Sequence, residues 1–147
     1  VWNLRLPSLP GPASARDDDE DAPRGAPAGR WVAPGRYTVR LTVGGRVLER
    51  SLLVRDDPRV TLTAAERTAW YAASDTVAAL YRDVVRLAEQ ASGVDAETRA
   101  TIRELQDRVG TLYGNVTRNG APPTADQRKQ MAYFPTVLRQ LRQRVAR

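Results

Sequence analysis

Residues 37–54 read YTVRLTVGGRVLERSLLV, and this stretch decides the fold class of the first part of the chain. Every second residue of its first half is apolar, which is typical of a strand with one buried face. The Gly44-Gly45 pair can supply both positive-φ residues of a tight turn. The return strand runs over residues 46–55 and has apolar residues on one face at Leu48, Leu52 and Val54. The stretch therefore predicts an antiparallel β-hairpin.

From Thr63 onward the apolar spacing changes from two residues to alternating steps of three and four. This is the spacing of helices that pack nearly antiparallel at about 20°. The first predicted stripe is Trp70, Ala73, Val77, Leu80, Val84, Leu87 and Ala91. The second is Ile102, Leu105, Val109, Leu112 and Val116, and the third is Met131, Phe134, Leu138, Leu141 and Val145. The pattern predicts an antiparallel three-helix bundle.

Capping signals support the three helices. Capping boxes are predicted for Thr63 with Glu66 and for Thr124 with Gln127, and Asp95 is predicted to cap the middle helix. The expected helix ends are Ser92-Gly93 and Asn119-Gly120. Pro135 lies inside the third helix, where a missing N–H predicts a kink.

The first 33 residues are less regular. Alternation over residues 1–6 predicts a strand, and a second is expected over residues 30–33. We expect Trp2, Trp31 and Tyr37 to form the core of the β part, with the Tyr37 hydroxyl bonded as in a sandwich corner. Residues 7–30 are rich in Pro, Gly and Ala and predict a disordered loop. The acidic run at 17–21 lacks the ligand spacing and the glycine of a calcium loop, which favours solvated carboxylates.

These elements predict an α+β chain of two modules. Residues 1–58 would form a partial immunoglobulin-like β-sandwich, the hairpin plus one or two strands, and residues 59–147 would form the bundle. An immunoglobulin-like sandwich needs about seven strands, and an isolated hairpin is marginal in water. We therefore expect the β module to be incomplete, with its missing strands before residue 1.

The composition argues against catalysis. The chain has no cysteine and no histidine, which removes thiol nucleophiles, the usual general base and most transition-metal sites. Glu104 and Asp107 are three residues apart on a predicted helix, but both lie off its apolar stripe, as solvated charges do. We expect no enzyme activity, no cofactor and no metal site. No apolar stretch approaches the ~18 residues of a membrane span.

The formal charge is +6, and Lys129 is the only lysine among 23 cationic residues. A candidate interaction surface at the C-terminus consists of Arg139, Arg142, Arg144 and Arg147. Phosphate binding would explain this cluster, but cations in a last helical turn also complement the helix dipole. Elsewhere arginines alternate with acids, which argues against a nucleic-acid partner. Four aromatic residues allow two interpretations, a carbohydrate platform or core positions, and their place near the helix seam favours the core: Trp70, Tyr71, Tyr81 and Tyr113.

Three stretches together resemble one bacterial family: VWNLRLPSLPGP (1–12), APGRYTVRLTVGGRVLERSLLVRDDPRV (33–60) and LYGNVTRNGAPPTADQRKQ (112–130). They are similar to the C-terminal region of large proteins with sortilin-like, BNR-repeat β-propellers, often labelled glycosyl hydrolases. Leu6 stands where that family has an aromatic residue, the acidic loop is an insertion, and Pro135 interrupts a usually continuous helix.

The resemblance implies an extracellular or cell-envelope protein whose ligand site lies on a propeller outside this chain. The chain would then be a non-catalytic structural or interaction region, with the propeller or another protein as its partner. The alternative is a free-standing basic module that binds nucleic acid or other anionic partners.

Overall fold

The structure is a computed structural model that describes residues 2–11, 26–118 and 120–146. It contains one β-hairpin followed by three helices, which confirms the predicted α+β class. The strands are β1 (Gly35–Val43) and β2 (Arg46–Val54). The helices are α1 (Ala64–Gln90), α2 (Ala96–Arg118) and α3 (Ala125–Val145), with a 3₁₀ turn at Ala91–Gly93 after α1.

The hairpin has the predicted turn and register. Gly44 and Gly45 have φ of 54° and 78°, as a tight two-residue turn requires. Leu41 pairs with Leu48 across the two strands, so the predicted apolar residues share one face. That face was expected to be buried, and this expectation is wrong for the described residues, since the two leucines are 55% and 57% exposed.

The bundle core follows the predicted stripes. Every predicted stripe residue of α1 and α2, together with Ala91, is buried. In α3 the central residues Phe134, Leu138 and Leu141 are buried, while Met131 and Val145 near its two ends are half-buried. Each fully buried aliphatic side chain stabilises the fold by about 1.5–3 kcal/mol, so α1 and α2 form the main part of the core and α3 packs against it.

The helix ends also match the sequence signals. Both capping boxes are present, with the Glu66 N–H donating to Thr63 Oγ1 at 3.2 Å and the matching bond at the start of α3 at 3.2 Å. Asp95 Oδ1 accepts from the Thr98 N–H at 2.8 Å at the start of α2. The third helix is continuous through Pro135, and the kink predicted there stays a prediction.

The strand predicted over residues 1–6 is replaced by a turn. The side-chain oxygen of Asn3 accepts from the Arg5 N–H at 3.2 Å, and the Trp2 indole donates to the Arg5 carbonyl at 3.1 Å. Leu4 between them has φ of 60°, a left-handed conformation that short Asn side chains help to set up. A single bridge between Arg5 and Trp31 remains of the two predicted outer strands.

The disordered loop predicted over residues 7–30 is wrong at both of its ends. Leu6 donates to the Arg30 carbonyl at 2.9 Å and Leu9 to the Pro27 carbonyl at 2.8 Å, so residues 7–11 and 26–30 run side by side. The prolines there lower the entropy cost of ordering, and Leu9, 3% exposed, joins the core of the bundle. The bundle core thus includes a residue from outside 59–147. The acidic run at 17–21 lies outside the described residues.

Gly29 permits this close pairing. A Cβ at Gly29 would lie 2.0 Å from the carbonyl oxygen of Leu6 and 2.5 Å from that of Pro7. Both are backbone atoms and cannot move aside as a flexible side chain can. A residue without a side chain is therefore needed at this crossing.

The three aromatic residues expected in the β core have different environments. Trp2 and Trp31 are 44% and 42% exposed, so their predicted burial is wrong for the described part of the chain. The Tyr37 hydroxyl donates to the Ala33 carbonyl at 2.6 Å, which confirms the predicted corner bond. The Trp2 ring lies 5.7 Å from the Tyr37 ring. These contacts pack one tryptophan over the base of the hairpin without enclosing it.

Candidate interaction surfaces

The arginines predicted as a C-terminal interaction surface are not equivalent. Arg142 lies 3.1 Å from Asp83 on α1, and Arg86 also binds this carboxylate. Burial opposes ionisation of Asp83, but the hydrogen bonds from the two arginines outweigh it and hold its pKa below the ordinary value. The Arg142 side chain therefore forms an ion pair that joins α3 to α1.

The remaining arginines of that group do not form one face. Arg139 and Arg144 are exposed, and five residues at 100° each place them about 140° apart around the helix axis. Arg144 lies about 160° from Arg142 by the same measure. Arg147 lies outside the described residues. Arg139 and Arg142, three residues apart, therefore share one side of α3, and Arg144 points to another side.

The carboxylates weighed for catalysis lie on an open surface. Glu104 forms an ion pair with Arg108 at 2.6 Å, and both side chains are about 60% exposed. Asp107 is exposed on the same helix. Among the residues described, no three acidic side chains gather where they could hold a metal ion.

The aromatic side chains weighed as a carbohydrate platform belong to the core. Trp70, Tyr81 and Tyr113 are buried, so the platform reading is wrong for them. The Trp70 indole donates to the Val116 carbonyl at 2.7 Å, one of the last carbonyls of α2 and thus without a helical partner. Tyr71 is half-buried, and burial raises its pKa and that of Tyr113. Trp70 thus joins α1 to α2, whereas the Tyr71 hydroxyl donates to the Val32 carbonyl of the N-terminal segment at 3.3 Å.

Arg30 fastens the N-terminal segment to the bundle, a role that sequence reasoning missed. Its guanidinium donates twice to Asp75, at 2.7 and 2.9 Å, and the hydrogen bond to this carboxylate raises the arginine pKa. It also donates to the Trp31 carbonyl at 3.0 Å and lies 4.8 Å from the Tyr71 ring. The role of Arg30 could not be predicted from the sequence, because a single arginine after a Gly/Ala-rich stretch belongs to no periodic pattern.

Among the residues that the structure describes, little packs against one side of the hairpin, which we call the hairpin face. Its members are Tyr37, Val39, Leu41, Val43, Arg46, Leu48, Arg50, Leu52 and Val54. Tyr37 and Val54 at the base are half-buried, whereas Val43 at the tip is 61% exposed. Each strand is nine residues long at about 3.4 Å per residue. With two neighbouring strands side by side, the face covers about 300 Å². Apolar patches of this size on a monomer are often functional.

The opposite side of the hairpin carries paired polar residues together with the exposed Val47 and Leu53. Arg40 binds Glu49 across the strands at 2.7 Å, and Arg36 donates to the Ser51 hydroxyl at 3.1 Å. Such cross-strand pairs stabilise a sheet by about 0.2–1 kcal/mol each. This side therefore has more polar residues than the hairpin face, and Arg40, Glu49 and Arg36 already have partners on it.

Two arginines interrupt the hairpin face on β2. Arg46 and Arg50 lie on either side of Leu48, and neither forms an ion pair with any residue that the structure describes. Arg50 donates to the adjacent Glu49 carbonyl at 3.0 Å. Alternation in the sequence places both arginines on the apolar side, which is the signal that could have singled them out.

No helix in the described ranges is long and apolar enough to cross a membrane. No protein-family model, curated protein or solved structure matches the chain.

Proposed function

We propose that this chain is a non-catalytic structural and interaction region whose hairpin face is covered by a further β-sheet. The observation that carries the proposal is the exposure of Leu41 and Leu48 on a regular, tightly turned hairpin. Two strands alone are marginal in water, and a facing sheet about 10 Å away would bury these side chains. The covered hairpin would be part of an immunoglobulin-like sandwich.

The N-terminal segment supports this role, because it already begins to cover the base of the hairpin face. Trp2 packs against Tyr37 there, while Val43 at the far end stays open. The bundle would act as the scaffold: Leu9 and Arg30 fasten the segment beneath the hairpin to the helices. A rigid base of this kind lowers the entropy cost of ordering the interface.

The resemblance to sortilin-like, BNR-repeat proteins suggests which larger protein contains this region. In that setting the chain is the C-terminal region of a secreted bacterial propeller protein, and the covering sheet belongs to the same protein or to its partner. Extracellular or cell-envelope location is part of the proposal. The alternative, a free-standing basic module for anionic partners, has less support, because Arg142 is paired and Arg139 and Arg144 point apart.

Hydrogen exchange tests the proposal. The isolated chain and the natural protein from its full reading frame are compared by mass spectrometry over residues 36–53. We expect this hairpin to exchange quickly in the isolated chain and to be protected in the natural protein, because a hairpin packed under a second sheet opens less often. Residues 77–87 of α1, buried in the bundle either way, are the internal control. Unchanged exchange of the hairpin, with the control equally protected in both samples, would contradict the proposal.

A further inference from the structure

We infer that the open edge of β2 accepts an extended strand with acidic side chains at two positions four residues apart, opposite Arg46 and Arg50. The inference rests on the proposed function, because it specifies which strand completes the sheet around the hairpin face. The partner is a β-strand with apolar residues alternating on that face and carboxylates at these two positions.

The register identifies the free backbone groups of this edge. In a two-residue hairpin the residues beside the turn form a hydrogen-bonded pair, and such pairs alternate along the ladder. Pairing of Val43 with Arg46 therefore directs the N–H and C=O groups of every second β2 residue outward. These residues are Val47, Glu49, Ser51 and Leu53, and the Arg50 side chain that now donates to the Glu49 carbonyl would be displaced from it by the incoming strand. An incoming strand can bond to them in sequence, at about 4.8 Å from β2.

The charges on the hairpin face determine what that strand carries. A sheet that covers the face would trap the Arg46 and Arg50 guanidinium groups in an apolar layer, which is costly without a partner. The hairpin has one acid, Glu49, and it lies on the opposite face and already binds Arg40. A strand beside β2 places its side chains about 4.5–5.5 Å from the two arginines. A strand beside β1 would be separated from them by β1 itself.

The spacing of the two arginines sets the spacing of the acids. Four residues at about 3.4 Å place Arg46 and Arg50 about 14 Å apart along β2. Leu48 lies between them on the same face. The matching strand therefore has a carboxylate, an apolar residue opposite Leu48, and a second carboxylate.

A second copy of the chain fits this surface poorly. Stacking two hairpin faces by a twofold axis would bring four arginines together without an acid on either face. The face also measures only about 300 Å², whereas a stable dimer buries about 800 Å² on each partner. Size and charge thus favour a different strand that both extends the sheet and neutralises the arginines.

Peptide titration of the ¹⁵N-labelled full chain tests the inference. The probe is an alternating Val/Thr peptide of about ten residues with glutamate at two valine-side positions four apart. The matched peptide has glutamine there. We expect the glutamate peptide to bind about tenfold more tightly in dilute buffer and to shift the amides of Val47, Glu49, Ser51 and Leu53. The tenfold ratio should shrink at high salt, since the hairpin face of the isolated chain is open to solvent and salt screens exposed pairs.

Charge reversal supplies the decisive comparison. In the Arg46→Glu/Arg50→Glu variant the glutamate peptide should lose its advantage, and a peptide with lysines at the same positions should bind instead. The Arg139→Glu/Arg144→Glu variant changes net charge equally and should keep the tenfold ratio. Rescue by the lysine peptide shows that the reversed hairpin is still folded.

Three outcomes would overturn the inference: equal binding of the glutamate and glutamine peptides, shifts confined to the β1 edge, or no binding by any peptide. The proposed function is judged separately by the hairpin's hydrogen exchange in the natural protein. Protection there combined with charge-independent peptide binding would retain the covering sheet and reject the acidic strand.

Discussion

Leu9→Ala should destabilise the helical bundle, although Leu9 lies more than fifty residues before the first helix. Its side chain is 3% exposed and belongs to the same cluster as the α1 and α2 residues. The substitution removes three carbon atoms, which amounts to about 2.4 kcal/mol of transfer free energy. The residual cavity raises the expected loss to about 3 kcal/mol. For a chain of this length that loss lowers the Tm by roughly 6–12 °C.

Urea denaturation followed by circular dichroism at the helical band measures the effect. Leu6→Ala is the matched control, because Leu6 belongs to the same segment but is 40% exposed. We expect the control to change the free energy of unfolding by less than about 0.5 kcal/mol. If the two variants differ by less than about 0.5 kcal/mol with unchanged m-values, Leu9 is not part of the bundle core and the docking of the N-terminal segment is wrong.

Three further changes test other contacts. Trp70→Phe leaves the buried Val116 carbonyl without its donor and should cost about 2 kcal/mol in urea denaturation; a loss below about 0.5 kcal/mol would contradict the capping bond. Asp83→Asn should lower stability at neutral pH by up to about 1 kcal/mol. Because folding lowers the Asp83 pKa, this contribution is present above about pH 4 and is lost as the pH falls below that, so the two pH–stability curves should converge on acidification; parallel curves would contradict the ion pair. Gly29→Ala should cost about 1–3 kcal/mol and speed amide exchange over residues 4–9, since its Cβ would clash with the Leu6 carbonyl; unchanged exchange would refute the close crossing.

The helices and the hairpin could be derived from the sequence because their signals are local. The apolar stripe of α1 repeats over more than five turns, and each capping box, such as Thr63 with Glu66, involves residues three apart. The Gly44-Gly45 turn fixes the hairpin register by its own backbone angles. Each of these features depends on neighbours within a few residues, so periodicity and turn chemistry are sufficient to predict them.

The candidate surface was only half predictable. Alternation correctly grouped Leu41 with Leu48 on one face, but the pattern also implied that this face is buried. Burial depends on what lies against a face, and a two-residue period carries no information about that. The two arginines of the face were therefore not recognised as candidate contacts.

Local order in the N-terminal segment was decided by tertiary contacts. Leu9 is buried by helices far along the chain, and Arg30 binds Asp75, 45 residues away. The alternation over residues 1–6 predicted a strand, yet the Asn3 side chain bonded the nearby backbone and formed a turn instead. Periodicity and caps thus determine where the chain forms helices and a hairpin, since those choices depend on near neighbours. Contacts between distant parts of the chain decide which irregular residues become ordered and which apolar face stays open. The free energies of these contacts cannot be read from a local sequence pattern.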